Sequence, residues 1–400
     1  MTRRIAFALL AMGTAQAAVY LVRPTTSYRL LGLGAGTTAI GLVTASFALV
    51  PLFLAIPLGR RADRRHGGRL LLAGCAVQVA GCLLLAVGRS AVALALASAV
   101  LGIGHLSLAL GAQAVVARES DDERHDQHFA LLTAGVSIGQ LVGPLLGGLL
   151  LGNRSGSALI SATTRAMLVA AGIAALATVF AVVAEREPRP AAGNESGARA
   201  AGSVTAILGT PGVPAGIFAS IAVLSAADVF TAYMPVLGEQ HGIGPAVIGV
   251  LLALRAAASL ASRIGIGTLV RRFGRLRLIT VSASAAAAAM IGLTFTHNVV
   301  LLALLCIVVG AGLGFGQPLS MTIVVQLVPE SARATALAVR LTGNRVGQVA
   351  APAAAGVIAG SAGASSVFWL MSGVLVASGL VIRRPGGGDA TQPPEAIADA

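Results

Sequence analysis

Long apolar runs alternate with short polar segments along the whole chain, and we count twelve such runs. A helix that crosses a bilayer needs about 20 mostly apolar residues, and each run is near that length. The pattern therefore predicts an all-α membrane protein. The predicted spans lie near residues 5–22, 36–58, 70–88, 92–114, 129–151, 164–184, 212–235, 246–266, 278–296, 299–322, 335–359 and 364–383.

The first apolar run has two interpretations. It follows a basic start and ends in an Ala-x-Ala-like sequence, which also describes a secretory signal peptide. A repeat in the sequence, described below, gives this run a later helix as its counterpart. We therefore favour a first spanning helix.

The polar gaps divide the chain into two halves. The longest gap contains EREPRPAAGNESGARAAG and is typical of a flexible linker. The end of the chain, PGGGDATQPPEAIADA, is typical of a disordered tail. We predict an N-terminal six-helix bundle over 1–184, a cytoplasmic linker over 185–211, a C-terminal six-helix bundle over 212–384 and a cytoplasmic tail over 385–400.

The distribution of arginine predicts the orientation. With the N-terminus in the cytoplasm, 19 of the 28 basic residues fall in cytoplasmic segments, 5 in outer segments and 4 in spans. Positively charged loops favour the cytoplasmic side. We therefore expect a multi-pass protein of the cell membrane, with both termini in the cytoplasm.

Composition excludes several classes of protein. The chain is 56% hydrophobic and only 11% charged, which a soluble domain could not accommodate. Its net charge of +13 lies in short loops between apolar runs, so it indicates membrane topology and not nucleic-acid binding. The sequence has no nucleophile–base pair, phosphate-binding loop or clustered metal-ligand motif. We expect no enzymatic activity, no cofactor and no metal.

The second half of the chain repeats the first in a constant register, which we call the repeat register. This register holds over five spans, which predicts two six-helix bundles related by a pseudo-two-fold axis, with a site where they meet. The pairs that it aligns are Gly41 and Gly249, Gly59 and Gly267, Arg64 and Arg272, Arg69 and Arg277, Gly102 and Gly310, Gly104 and Gly312, and Pro144 and Pro352.

The loop GRRADRRHGGR, from Gly59 to Arg69, places Asp63 among five arginines. Such a loop can form a cluster of ion pairs at the membrane surface, or it can simply anchor the chain. Together with the twelve spans and with GQLVGPLLGG in span five, it resembles the major facilitator superfamily. The loop is similar to that family's Gly-x-x-x-Asp-Arg-x-Gly-Arg signature, with His66 where Gly is usual.

The resemblance implies that this loop gates the cytoplasmic side. Asp63 and Arg64 would then hold the closed state and release it during transport. The second copy, GTLVRRFGRLR, keeps the first glycine and has Arg271 in place of the aspartate. The residues assigned to this gate are Gly59, Asp63, Arg64, Arg69, Gly267, Arg271 and Arg272.

Span five carries a glycine pattern similar to the signature found mainly in the family's antiporters. Glycines let helices pack backbone to backbone, and a proline frees a carbonyl and kinks the helix. The pattern predicts either a hinge or close packing alone. Its residues, with the proline of the second copy, are Gly139, Gly143, Pro144, Gly147, Gly148 and Pro352.

Several charges lie inside the predicted spans, where each costs about 2.5–3.5 kcal/mol on insertion scales. Arg263 and Arg340 lie near cytoplasmic ends and are expected to snorkel. Asp228 and Arg255 lie about 10 and 13 Å inside the outer ends of adjacent spans, at 1.5 Å per residue. This match predicts an ion pair. The pair is either static or one in which Asp228 carries a proton and releases Arg255.

Arg345 stands where the first half has Ser137, and it binds either the substrate or carbonyls freed near Pro352. Asp228 can neutralise only one of the two deep arginines, Arg255 and Arg345. The remaining positive charge suggests an anionic substrate. In the family that the chain resembles, spans one, four, seven and ten line the cavity. This nominates Gln16, Tyr20, His105, Asp228 and Gln317, in addition to Arg255 and Arg345.

His105, near the middle of span four, either changes its charge near neutral pH or is a neutral core residue. Span four lacks the arginine that many proton-coupled relatives carry, so the resemblance indicates no proton route there.

The sequence thus predicts a secondary active transporter of the drug/proton antiporter-like branch, working by alternating access as a monomer. Its partners would be a small organic compound, exported in exchange for protons, and the lipid bilayer. One alternative is an importer or exchanger of an organic anion bound by Arg255 and Arg345. Another is a membrane sensor or subunit that keeps the fold without transport.

Overall fold

The computed structural model describes residues 1–62, 66–120, 124–187, 204–329 and 332–383. These residues form fourteen helices and no strand. The first half contains α1 (Arg3–Gly32), α2 (Thr37–Arg61), α3 (Gly67–Val87), α4 (Ala91–Glu119), α5 (His125–Leu151) and α6 (Gly156–Arg186). The second half contains α7 (Val204–Gly209), α8 (Val213–Gln240), α9 (Pro245–Ile264), α10 (Ile266–Phe273), α11 (Arg275–Leu293), α12 (Val299–Gln326), α13 (Arg333–Ala362) and α14 (Ala364–Ile382).

Eleven helices of the described residues are long and apolar enough to cross a membrane. They confirm the predicted all-α membrane architecture. The remaining predicted span, 335–359, lies in α13, which is 30 residues long and contains three arginines. At 1.5 Å per residue α13 reaches about 45 Å, more than the bilayer core of about 30 Å. It joins two candidate spans, α12 and α14.

Two predicted polar regions lie partly or wholly outside the described residues. In the predicted linker, α6 runs on to Arg186 and α7 covers Val204–Gly209, whereas residues 188–203 are not described. The predicted tail over 385–400 also lies outside the described residues.

The first helix is longer than predicted. Span one was expected to end near residue 22, but α1 continues past Arg23 and Pro24 to Gly32. Arg29, near its end, is buried and donates hydrogen bonds to the carbonyl of Gly88 at 2.8 Å and to the hydroxyl of Thr164 at 2.7 Å. These contacts tie α1 to α3 and α6. Tertiary contacts therefore extend the helix beyond its proline and place Arg23 inside it.

The sequence repeat reappears in the packing within each half. Gly102 of α4 packs against the backbone carbonyl of Phe47 in α2. Gly310 of α12 packs in the same way against the backbone carbonyl of Arg255 in α9. The repeat register aligns Gly102 with Gly310 and Phe47 with Arg255. The two bundles are therefore built on the same helix contacts.

The two halves meet at one face of the bundle, which we call the opposite face. We call the face where α1 begins and α14 ends the terminal face. At the opposite face, Gly41 of α2 packs against the backbone of Pro352 and Gly356 in α13. Gly249 of α9 repeats this contact, since a Cβ there would lie 2.8 Å from the Cα of Gly148 in α5. Arginine counting predicts that the terminal face is cytoplasmic.

The hydrophobic clusters show the same division. The largest cluster contains residues of both halves, among them Ile40 of α2 and Leu237 of α8, which lie toward the opposite face. A second cluster is built from first-half residues alone, and two further clusters from second-half residues alone. The halves are thus joined at the opposite face, and toward the terminal face each half packs on itself.

Gly310→Ala is expected to destabilise the second half. A Cβ at this position would collide with a backbone carbonyl of the neighbouring helix, and overpacking of this kind costs about 1–3 kcal/mol. The matched control is Gly373→Ala in α14, because a Cβ at Gly373 meets nothing within 4 Å. Thermal unfolding of the purified variants checks this, and equal melting temperatures would contradict the packing.

Candidate functional site

The carboxylate of Asp228 lies at the centre of a polar network between the two halves. Its Oδ1 accepts a hydrogen bond from Nη1 of Arg23 in α1 at 2.7 Å. Its Oδ2 accepts one from Nε2 of Gln348 in α13, also at 2.7 Å. The Oε1 atom of that glutamine accepts from Nη1 of Arg345 at 3.1 Å. One carboxylate therefore joins α1 of the first half to α8 and α13 of the second.

The predicted ion pair between Asp228 and Arg255 was wrong. The aspartate pairs with Arg23, and the guanidinium of Arg255 lies over the ring of Phe230, with 5.6 Å between Cζ and the ring centroid. The depth estimate carried no information on the direction in which each helix faces. Arg23 was missed because its span was expected to end one residue earlier.

Aromatic rings surround the guanidinium of Arg23. Its Cζ atom lies 5.8 Å from the ring centroid of Tyr20 and 5.2 Å from that of Phe47. The Phe47 ring is in turn 5.6 Å from the ring of His105. The charged groups that face this histidine are Arg345, Arg23 and Asp228, and its Nδ1 has no hydrogen-bond partner among the described residues. Phe47 therefore packs against both Arg23 and His105.

Two glutamines donate hydrogen bonds to equivalent residues of the two halves. Gln140 in α5 donates to the hydroxyl of Tyr20 at 3.0 Å. The repeat register aligns Gln140 with Gln348 and Tyr20 with Asp228, and the second pair forms the corresponding contact. The Gly-Gln pair shared by spans five and eleven was visible in the sequence and is the signal that could have found both glutamines.

The second half also contains a buried network nearer the terminal face. Arg340 is 5% exposed and donates to Oε1 of Gln317 at 2.7 Å and to its carbonyl at 3.0 Å. The amide of Gln317 donates to the carbonyl of Ser220 at 3.0 Å. The expectation that Arg340 snorkels was therefore wrong, because these acceptors turn it inward. Gln16, another cavity candidate, is buried beside Gly139.

The gate residues are placed as follows. Asp63 and Arg64 lie outside the described residues. Gly59 has open space around its Cα, and Gly267 lies near the side chain of Arg271. Arg271 donates to Thr268, and Arg272 lies over Phe273 within α10. Arg69 of α3 approaches Glu185 of α6 at 3.7 Å.

Further ion pairs join helices of the first half at the terminal face. Arg4 of α1 contacts Glu119 of α4 at 3.0 Å and Glu185 of α6 at 3.3 Å. These residues were not singled out in the sequence. They lie just outside the ends of the predicted spans.

The glycines of span five are in close contact with other helices. A Cβ at Gly139 or Gly143 would lie 2.6–2.7 Å from the backbone of Ala17 in α1. Gly147 lies near Leu21, which is also in α1. Gly148 faces the other half, where a Cβ would lie 2.9 Å from the carbonyl of Pro245 in α9. Pro144 and Pro352 each contribute a carbonyl to the packing between the halves. This motif therefore packs α5 on α1 and on α9.

Among the described residues, no group of three or more His, Cys, Asp or Glu side chains could hold a metal ion. The polar centre is built instead from arginine, aspartate, glutamine, tyrosine and histidine.

Two repeated helical bundles that meet around a polar centre define a class of membrane carriers. The Major Facilitator Superfamily model matches residues 5–292 and 216–397, and the chain belongs to this superfamily. This family and fold are typical of carriers that perform no catalysis. The comparison with curated proteins found no match.

Solved structures show the same fold. The nucleoside transporter NupG is similar with a TM-score of 0.74 at 16% identity, over 96% of this chain and 100% of that one. A D-xylose-proton symporter gives 0.76 at 15% identity, over 96% and 98%. A bacterial homolog to the human lysosomal transporter Spinster, inward-facing and occupied, gives 0.75 at 15% identity, over 94% of each chain.

Proposed function

We propose that the protein is a secondary active transporter of a small organic compound, working by alternating access with protons as the coupling ion. It would act as a monomer in the cell membrane with both termini in the cytoplasm. The observation that carries this proposal is the position of Asp228, whose carboxylate joins the two halves through Arg23.

The ion pair is placed where it can control the opening of the bundle. The halves are packed together at the opposite face, through α2 with α13 and through α5 with α9. Asp228 and Arg23 lie between these contacts and the terminal face, with side chains 7% and 12% exposed. A buried ion pair is stable only while both partners are ionised, because loss of one charge leaves the other buried and unpaired. Loss of either charge would weaken the closure.

A proton on Asp228 would remove that charge. The guanidinium of Arg23 would then lose its counter-ion, and the state closed at the opposite face would lose this ion pair between the halves. Protonation of Asp228 therefore favours the state open to the outside, and proton release favours the state closed at the opposite face.

This order of events fits export, the direction predicted from the glycine motif of α5. While Asp228 is ionised, the halves are joined at the opposite face, so a compound would enter from the terminal face, which is predicted to be cytoplasmic. Uptake of a proton from outside would then accompany release of the compound. The cycle exchanges an internal solute for an external proton.

Reconstitution of the full chain in liposomes tests the proposal. The liposomes carry a pH gradient and a fluorescent pH indicator, and the probes are benzenesulfonate, benzyltrimethylammonium and D-xylose. We expect at least one probe to cause a proton flux above that of protein-free liposomes. A solute flux that is the same with and without the pH gradient would contradict proton coupling. Binding of a probe without any flux would favour the non-transporting sensor.

A further inference from the structure

Arg255 is a buried charge without a polar partner. The residue is 7% exposed, and its Nε has no hydrogen-bond partner among the described residues. No ion pair or hydrogen bond joins it to another described residue, and its guanidinium instead lies over the ring of Phe230. The charged or ionisable groups that face it include Tyr20, Asp228 and Arg23. The side chain therefore lies at the polar centre between the halves.

The carboxylate nearest to Arg255 is already engaged. Both oxygens of Asp228 accept hydrogen bonds at 2.7 Å, one from Arg23 and one from Gln348. Arg345 donates to the same glutamine. The group formed by Arg23, Arg255, Arg345 and Asp228 thus has three positive charges and one negative charge. A buried charge without a counter-ion is strongly unfavourable, and an added anion would balance this excess.

The fold itself does not need the guanidinium. The position equivalent to Arg255 in the first half is Phe47, and the two backbones make the same contact, Phe47 with Gly102 and Arg255 with Gly310. The same helix packing is therefore built around a neutral side chain in one half and a charged one in the other. Helix packing does not explain the arginine, whereas binding of a charged ligand does.

We infer that Arg255 anchors an organic anion at the centre of the bundle. The anionic group, a carboxylate, sulfonate or phosphate, pairs with the guanidinium, whose other face lies on Phe230. The rings of Tyr20 and Phe47, both packed around Arg23, offer contact to the apolar part of the ligand. This inference rests on the proposed transport function and names the substrate class of its site.

Thermal unfolding of the purified full chain in detergent tests the inference. The probes are benzoate, succinate and phenyl phosphate, each compared with a neutral amide or alcohol of similar size. For the wild type we expect at least one anion to raise the melting temperature by about 2–5 °C more than its neutral counterpart. Arg255→Gln should lose that difference, and Arg255→Lys, which keeps the charge, should retain part of it.

The control is Arg165→Gln, which removes an exposed arginine of α6 and should keep the full anion response. The inference is overturned if no anion stabilises the wild type more than it stabilises Arg255→Gln. Because this measurement needs neither a membrane nor a gradient, it separates the two proposals. Anion binding without transport would contradict only the transport function, and transport of neutral solutes without anion binding would contradict only the anion site.

Discussion

Asp228→Asn is expected to abolish the coupling of solute transport to the pH gradient. Asparagine keeps the shape of the side chain but can neither ionise nor carry the proton. It also leaves Arg23 buried without a counter-ion, and breaking a buried pair in this way costs about 3–5 kcal/mol. If half of that energy is lost from the closed conformation alone, the ratio of the two conformations shifts roughly tenfold to a hundredfold.

The measurement is solute accumulation in proteoliposomes with an imposed pH gradient, using whichever probe the wild type transports. Accumulation driven by the pH gradient should be lost, because a side chain that carries no proton cannot couple the gradient to solute movement. Glu239→Gln is the matched control, because Glu239 is exposed near the end of the same helix and should transport normally. Accumulation by Asp228→Asn equal to that of the wild type would exclude Asp228 as the proton carrier.

The double variant Arg23→Met with Asp228→Asn separates stability from coupling. It removes both charges, so no uncompensated arginine remains at this position. We expect its melting temperature to exceed that of Asp228→Asn alone, since the two side chains are in direct contact and their effects are not additive. Its proton coupling should still be absent.

Gly41→Val is expected to hold the bundle open at the opposite face. Gly41 lies in backbone contact with Pro352 and Gly356, where no side chain fits. Overpacking costs about 1–3 kcal/mol, which shifts the equilibrium toward the separated state by about 5-fold to 150-fold. Transport should be nearly lost because the cycle needs both states.

Distances between spin labels check this directly. Labels at Arg89 and His297 lie on exposed segments of the opposite face, one in each half. Gly41→Val should shift their distance distribution to longer values, and Gly249→Val, its counterpart in the second half, should do the same. Gly36→Val is the control, since a Cβ at Gly36 meets nothing within 4 Å. Unchanged distances would contradict a closure at this contact.

The helices and their repeat were predictable because a bilayer imposes one strong requirement. Every backbone polar group in the apolar core must be satisfied, so long apolar runs become helices. The repeat register then predicted that equivalent positions pack alike, as Gly102 and Gly310 do. The repeat register also aligns Gly139-Gln140 with Gly347-Gln348, but neither glutamine was predicted to belong to the central site.

The partners of the charged residues were decided by the tertiary structure. Sequence spacing indicates the depth of a side chain in the bilayer, and by depth Asp228 matched Arg255. The direction of a side chain depends on how its helix is rotated and packed, which turned Asp228 toward Arg23 and Arg340 toward Gln317. The length of α1 depended on contacts of Arg29 with two other helices. Local sequence thus determined which segments cross the membrane, whereas long-range packing determined which charges meet.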